Sequence, residues 1–271
     1  MTRSRRLSII LASYNDARIE ESIRSIRRFD DIEAVRLVVV DGGSSRDIVG
    51  VIRPLLEHGD VLISEPDSGI FDALNKGLAL CTTEFVGWLG SDDIFTGRVL
   101  ASDVVRALET NDLFVASLAV FRGARIRRLT HSLPCRFGLA RFGLHNPHYS
   151  TFGRLSLLRT ERFDLGLLGS DIEYFLRIFA RRPRVATTSR VAVLMREGGF
   201  SSSSYGKILS VNRQLFQVYA RHSSWPTAVF ALVVKAAYKC MSAGYYLVRN
   251  EACSKYEART LPASSDASRT R

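Results

Sequence analysis

An α/β fold, with a doubly wound and mostly parallel sheet covered by helices on both faces, is what this sequence predicts. Three observations carry the expectation. Apolar runs of strand length recur at residues 7–12, 37–40, 61–64 and 85–89, continuous enough for strands buried on both faces. Amphipathic stretches separate them, and the resulting β-α-β-α-β-α-β order argues parallel crossovers. Three of the runs end in polar loops bearing carboxylates, and ligands of open α/β sheets sit beyond the carboxyl ends of strands.

Residues 7–12 form the first strand, ended by Ser13-Tyr14-Asn15-Asp16, and Ile19, Ile23 and Ile26 then line one face of a helix. The second strand, 37–40, stops at Asp41-Gly42-Gly43-Ser44-Ser45. A helix over 46–56 runs up to a break at Pro54, and 61–64 is a third short strand. The stretch 63–93 organises the rest. Glu65, Pro66, Asp67 and Gly69 signal a loop; Ile70, Phe71, Leu74 and Leu78 recur at helical spacing, with Asp72 and Lys76 as an i,i+4 pair. Phe85, Val86, Trp88 and Leu89 make the next buried strand, and Asp92-Asp93 follow where it ends. Two adjacent carboxylates there suit a hard cation holding a diphosphate; the plain alternative is a helix cap with a first-turn acid.

The second half is less regular. Residues 99–108 read as a helix, 113–120 as a strand, and 122–128 as a basic arm of a hairpin. From 133 to 151 the chain is loop-like, holding Pro134, Gly138, Gly143, His145, Pro147 and His148. A helix follows over 171–180 with Ser170 as its N-cap. Residues 185–193 suit a strand, Gly198-Gly199-Phe200 with four serines a flexible loop, and 205–219 a helix. Residues 225–248 are long and apolar, but Lys235 and Lys239 interrupt them. Burying both in a bilayer costs roughly 2.5–3.5 kcal/mol each. Two readings stay open: an amphipathic helix in the membrane interface, with Val229, Phe230, Val233, Ala237 and Tyr245 turned to lipid, or a helix packed on the domain.

At 271 residues, 46% hydrophobic and 24% charged, the chain has material for a large core and is not broadly disordered. A net charge of +11 and a pI near 9.9 call for an anionic partner. No zinc-finger spacing or nucleic-acid motif is present, so nucleic acid is not the expected one. Cys81, Cys135, Cys240 and Cys253 form no close pair, and Thr2-Arg3-Ser4-Arg5-Arg6 leads into a strand pattern without the apolar run of a secretory signal. A reduced, cytoplasmic setting is expected.

The motifs then fall into a pattern. Ser13-Tyr14-Asn15, Val39-Val40-Asp41-Gly42-Gly43-Ser44, Glu65-Pro66-Asp67-Ser68-Gly69-Ile70-Phe71-Asp72-Ala73-Leu74-Asn75-Lys76-Gly77 and Trp88-Leu89-Gly90-Ser91-Asp92-Asp93 occur in that order over about the first hundred residues. With the shorter Asn146-Pro147-His148 and Gly169-Ser170-Asp171, the sequence resembles the inverting glycosyltransferase family 2, nearest its bacterial exopolysaccharide and lipid-linked glycan builders. Ser68 stands where such proteins often carry a basic residue, and Tyr149 where they often carry Gln.

The resemblance implies a GT-A-type fold over residues 1–220, with a nucleotide-sugar half (1–95) and an acceptor half (96–220), then the helix within 221–249 and a flexible tail over 250–271. It implies transfer from a nucleotide-diphosphate sugar, UDP-linked by preference, to a hydroxyl of a glycan or lipid-linked acceptor, with inversion and a divalent metal, Mn²⁺ or Mg²⁺. Work beside an anionic membrane, as a peripheral protein of its inner face, goes with that acceptor. Ser91-Asp92-Asp93 looks like the family's DXD-type turn, with Asp93 and Asp92 toward the metal and Asp92 also toward the ribose. Ser13, Tyr14, Asn15, Asp41, Asp67 and Lys76 would line the donor cleft. Asp171 would be the general base, since inverting transfer needs one carboxylate to deprotonate the attacking hydroxyl; Glu173 is the runner-up. His148 is a candidate metal or diphosphate contact, against the commoner fate of a loop histidine as a general polar contact. Two rivals stand beside this reading. A sugar-phosphate nucleotidyltransferase would carry a Gly-rich phosphate loop after strand one, where this chain has Ser-Tyr-Asn-Asp. A non-catalytic nucleotide-sugar-binding module would not need both Asp93 and Asp171.

Overall fold

The computed structural model describes residues 5–132, 140–143, 148–198 and 205–248. Readings that fall on Cys135, Asn146, the serine loop or the tail after Val248 lie outside them. In chain order come β1 (Leu7–Ser13), α1 (Ile19–Phe29), β2 (Val35–Asp41), α2 (Arg46–Ile52), β3 (Val61–Ser64), α3 (Ile70–Leu80), β4 (Phe85–Gly90) and β5 (Ile94–Phe95). Then follow α4 (Ala101–Thr110), β6 (Leu113–Arg122), β7 (Arg125–Thr130), β8 (Thr151–Arg154), α5 (Leu155–Leu158), α6 (Ser170–Ala180), β9 (Val185–Arg196), α7 (Tyr205–His222) and α8 (Trp225–Val248). The strands join one sheet in the order β3-β2-β1-β4-β8-β6-β9-β5, with β7 paired to β6.

The first four strands run parallel, as their crossover helices require. Their side chains alternate between two cores. Ile10, Val38 and Val40 face Leu74 and Leu78 of α3, while Ile9, Leu11, Leu37 and Val39 face Ile23 and Ile26 of α1. The second half is mixed: β8 is antiparallel to β4 and β6, whereas β6 and β9 are parallel. Gly87 of β4 makes room for the join. A Cβ there would lie 2.4 Å from Cδ1 of Phe152, whose ring stacks on Phe29 and Phe95.

Several expectations need adjusting. Strands form at 94–95 and 151–154, where the sequence pattern predicts none, held by partners far along the chain. Ser170 is not the N-cap of α6; Gly169 holds that position, and the Ser170 hydroxyl accepts the Asp164 N–H at 2.6 Å. The expected basic hairpin forms, as β7 against β6. Among the described residues no helix is long and apolar enough to cross a membrane. Helix α8 is divided: Ala228 and Ala231 are fully buried while Trp225, Val229, Phe230 and Val233 stand exposed.

Candidate active site

Strand register assembles the first half of the site. Ser13 lies beside Asp41, Asp41 beside Ser64, and Ala12 beside Gly90, so four strand ends open on one edge. Asp41 is fully buried there. Its carboxylate accepts the Ser44 N–H at 2.9 Å, the Ser64 hydroxyl at 2.7 Å, and the Ser44 hydroxyl. Asn15, at a φ of 48°, stitches the first two loops together: its N–H donates to Ser44 Oγ (2.7 Å) and its Oδ1 accepts the Ser45 N–H (3.0 Å). Such left-handed backbone suits Asn better than most residues. Tyr14 projects into solvent, and Ser13 is buried with its Oγ unpartnered among the described residues. Asp67 lies over Gly42, where a Cβ would come within 2.7 Å of its Oδ2; its Oδ1 accepts the Gly69 N–H at 2.8 Å. Lys76 is turned to the loop, with Nζ 2.9 Å from Glu65, 3.2 Å from the Pro66 carbonyl and 3.5 Å from Asp72. The Glu65 hydrogen bond raises its pKa.

The acidic turn is anchored from beneath. The Ser22 hydroxyl of α1 lies 2.8 and 2.7 Å from the carbonyls of Ser91 and Asp93, and Ser91 Oγ donates to Asp16 at 3.0 Å. Asp93 is 2% exposed; burial, then the neighbouring Asp92, push its pKa up to about 7, although Oδ1 accepts the Arg196 N–H at 3.1 Å. Burial also raises Asp92, against the pull of Arg18 at 3.4 Å. Sequence reasoning missed Arg18, Ser22 and Arg196. A backbone N–H donating from a hundred residues away leaves no side-chain signal.

The chain returns to this turn from the other side. A 3₁₀ turn, His148–Ser150, carries the partly buried Tyr149, whose phenol is raised in pKa by burial and then by the charges of Asp93, Asp171 and Asp92. Tyr149 therefore lies among the three acids. His148 packs its ring on Tyr149 at 3.8 Å, holds Nδ1 3.3 Å from Asp171 Oδ2, and buries Nε2 unpartnered among the described residues. Asp171 is in the first turn of α6, a position favourable to a carboxylate. Glu173 faces elsewhere, 2.7 Å from Arg177 and 3.7 Å from His222; burial opposes its ionisation, but those two partners hold its pKa below the ordinary value. The structure thus gathers Asp92, Asp93, His148 and Asp171, and sets Glu173 apart.

The sequence profile described as Glycosyl transferase family 2 matches residues 8–165, more than half of the chain. The chain belongs to glycosyltransferase family 2. That membership removes the ground for a nucleotidyltransferase. An uncharacterized glycosyltransferase of Mycobacterium tuberculosis is 29% identical over 184 residues, covering 65% of this chain and 70% of the relative. A PGL/p-HBAD biosynthesis glycosyltransferase of Mycobacterium bovis is 38% identical over 60 residues, 21% of this chain and 23% of that one. Among solved structures, S. aureus TarS 1-349 in complex with UDP-GlcNAc superposes with a TM-score of 0.62 at 17% identity, covering 80% of this chain and 71% of that one. The mannosyltransferase PcManGT of Pyrobaculum calidifontis, with GDP-Man and Mn²⁺, gives 0.57 at 19% identity, over 97% and 78%. The fold is the GT-A glycosyltransferase fold, extended by C-terminal helices.

Does this glycosyltransferase offer a cation a place? Among the described residues no three His, Cys, Asp or Glu side chains stand close enough to hold one by themselves. Asp92 and Asp93 are nevertheless adjacent carboxylates, and the proton affinity of Asp93 rises first through burial and then through Asp92. Mg²⁺-type sites commonly use one or two carboxylates and complete their shell with substrate phosphates. The residues present fit that arrangement.

Proposed function

We propose that this family 2 glycosyltransferase moves a sugar from a nucleoside-diphosphate donor, UDP-linked by preference, to an acceptor hydroxyl with inversion, in polysaccharide or lipid-linked glycan synthesis. The observation that carries the reading is the link from the Asp92-Asp93 turn to Asp171 through His148 and Tyr149: His148 packs on Tyr149 and holds Nδ1 3.3 Å from Asp171, and the charges of Asp93, Asp171 and Asp92 all act on the Tyr149 phenol. TarS bound to UDP-GlcNAc and PcManGT bound to GDP-Man and Mn²⁺ support a nucleotide-sugar donor and a divalent metal. The name of the M. bovis relative supports glycan assembly.

Residues 1–95 serve the donor and 96–220 the acceptor. Asp41, fully buried, spends three of its about four acceptor positions on Ser44 and Ser64 and so fixes the two loops between which the base would sit; the fourth would reach a base N–H once the donor displaces the loop over it. Ser13, Tyr14, Asn15 and Asp67 bound the same cleft, and Lys76 holds the loop that carries Asp67. Asp93 and Asp92 would hold the divalent cation, which as a Lewis acid offsets charge growing on the leaving diphosphate. Asp171 takes the proton of the acceptor hydroxyl. The oxygen forms its bond to the anomeric carbon from the face opposite the diphosphate, the bond to the diphosphate oxygen breaks, and the configuration inverts. His148 orients the Asp171 carboxylate at 3.3 Å. The chain works as a peripheral protein of the inner membrane face.

Release of nucleoside diphosphate from UDP- and GDP-sugars, with Mn²⁺ or with chelator, tests the reading. Asp171→Asn should fold, bind nucleotide and lose turnover by a factor of about 10²–10⁴, the usual worth of proton transfer by a positioned base. Glu173→Gln should stay near the parent, and Asp93→Ala should abolish any gain from metal. Nucleotide binding without turnover on any donor and acceptor would leave only the binding module. Collapse in Glu173→Gln beside a healthy Asp171→Asn would move the base.

A further inference from the structure

We infer that the outer face of α8, with the arginine-rich surface beside it, is a docking face for an anionic lipid bilayer. Trp225, Val229, Phe230, Val233, Ala237 and Met241 fall on one side of the helix and are all exposed. At 1.5 Å per residue they form one apolar stripe about 24 Å long. The opposite face is locked to the protein: Ala228 and Ala231 are fully buried, and a Cβ on Gly143 would lie 2.3 Å from the Ala231 carbonyl oxygen. The stripe is therefore not a helix waiting to fold back on its own domain.

Charge says what covers it. Between Asp112 and Glu161, and again between Glu197 and Glu251, the sequence contains no acidic residue, and these two stretches hold 14 basic ones. The rest of the chain has 24 basic and 27 acidic residues, so the whole positive excess resides in them. Arg154 and Arg159 are committed elsewhere, to Glu84 and to carbonyls at the end of α3. The fold brings the two stretches together. The His131 N–H at the end of β7 meets the Tyr238 hydroxyl of α8 at 3.2 Å. Phe142 packs edge-on against Phe230 at 5.9 Å, with the Arg141 guanidinium 5.0 Å over the Phe142 ring. Arg122 is drawn to Glu197 at 3.9 Å; elsewhere an apolar stripe with Arg141 at its edge, beside two stretches that carry no acidic residue of their own, has the pattern of an interfacial helix. A second copy of the chain would oppose two such surfaces of the same sign, which disfavours self-association. An anionic bilayer complements both parts, each basic residue near it strengthening binding about fivefold.

The chain itself links this face to the acceptor side. Phe142 and Gly143 precede His148 and Tyr149 by a few residues, so the loop resting on α8 leads into the acceptor side. On the proposed function, a lipid-borne acceptor would enter from this face.

The test uses the full chain and vesicles of phosphatidylcholine and phosphatidylglycerol at about two to one, beside pure phosphatidylcholine. Cosedimentation should require the anionic lipid and fall at least about tenfold when salt shortens the screening length to about 3 Å. Val229→Ser, Phe230→Ser and Val233→Ser combined should lower binding by a similar factor; UDP affinity, measured in parallel, should stay at the parental value and so report an intact fold. Equal sedimentation of this variant and the parent overturns the proposal. A dimer in light scattering that the same substitutions dissociate, without vesicle binding, assigns the face to a second copy and also overturns it. Vesicle binding by a chain that turns over no donor upholds docking and sinks only the transfer reading.

Discussion

Replacing Gly77 by alanine adds one methyl group where α3 lies closest to β1. The new Cβ would sit 2.5 Å from Cγ2 of Ile10, 3.2 Å from Cγ1 and 3.3 Å from Cδ1. Carbon pairs pack best at about 3.5–4.0 Å, so helix and strand have to part by roughly 1 Å or Ile10 has to leave its rotamer. Ile10 is fully buried and has nowhere to go. Overpacking of this kind costs about 1–3 kcal/mol, and alanine returns about 1 kcal/mol as the better helix former. A contact as short as 2.5 Å puts the overpacking in the upper part of that range, about 2–3 kcal/mol, so the expected net loss is about 1–2 kcal/mol, with a fall in Tm of about 2–4 °C per kcal/mol. Urea titration with a parallel UDP-binding isotherm is the assay. Affinity should drop as well, because the N-terminus of α3 carries the loop with Asp67. Ile10→Ala removes all three clashing carbons and costs about 2–5 kcal/mol alone. In the double variant the methyl occupies the vacated space, so the two losses should fall short of their sum by about 1 kcal/mol or more. A Gly77→Ala protein as stable as the parent, or strict additivity, would refute the packing argument.

Three other outcomes are expected. Gly42→Ala should fold normally, since the clashing Asp67 carboxylate is the end of a side chain, but should weaken UDP binding; Asp67→Ala and the double variant should then bind alike, and a further loss in the double would break the link through Asp67. Cys81, buried and raised to about 11 chiefly by burial, stays a protonated thiol at pH 8, so iodoacetamide should label exposed Cys240 and spare Cys81 until the protein is unfolded; peptide mass spectrometry reads both sites. Asp93→Ala should erase any Mn²⁺ dependence of nucleotide affinity, and a variant whose metal gain survives would take Asp93 out of the metal shell.

Local pattern made the first half of the fold legible. β1, β2 and β4 are unbroken apolar runs, and a parallel register then aligns Ser13, Asp41 and Gly90 on one edge. The strands that escaped notice are short and stabilised from afar. Ile94–Phe95 pairs with β9, a hundred residues on, and Thr151–Arg154 is held between β4 and β6. Capping chemistry misled at Ser170, because its hydroxyl answers the Asp164 N–H, a tertiary partner that propensity does not include. Periodicity in α8 marked an apolar face, but only packing shows that the small residues Ala228 and Ala231 turn inward and the large ones outward. The apposition of Asp171 and His148 depends on a 3₁₀ turn and a helix start meeting in space, so only the candidates were readable.

The motif Asn75-Lys76-Gly77 shows how residues read as chemistry act through architecture. Each fastens α3 in a different direction. Gly77 lets the helix down onto Ile10 of the central strand. Lys76 reaches back to Glu65 and the Pro66 carbonyl, fixing the loop that holds Asp67 over Gly42. Asn75 does the same for the other side of the cleft: its Nδ2 donates to the Phe163 carbonyl and its Oδ1 accepts the Phe163 N–H, both at 2.9 Å. Phe163 in turn stacks on Tyr174 of α6 at 4.1 Å, and the next residue, Asp164, gives its N–H to Ser170 beside Asp171. A two-sided amide bond of this kind fixes both translation and tilt, and a buried donor or acceptor left unmatched costs about 1–3 kcal/mol. The distance between the donor loop and the helix bearing Asp171 is thus set through α3. The inverting transfer proposed above would need the attacking oxygen and the leaving diphosphate on opposite faces of one carbon, a geometry in which a misplacement of about 1 Å can cost roughly a hundredfold in rate. A rigid strut between the two sides of the cleft answers that need, although none of its three residues has to touch the sugar.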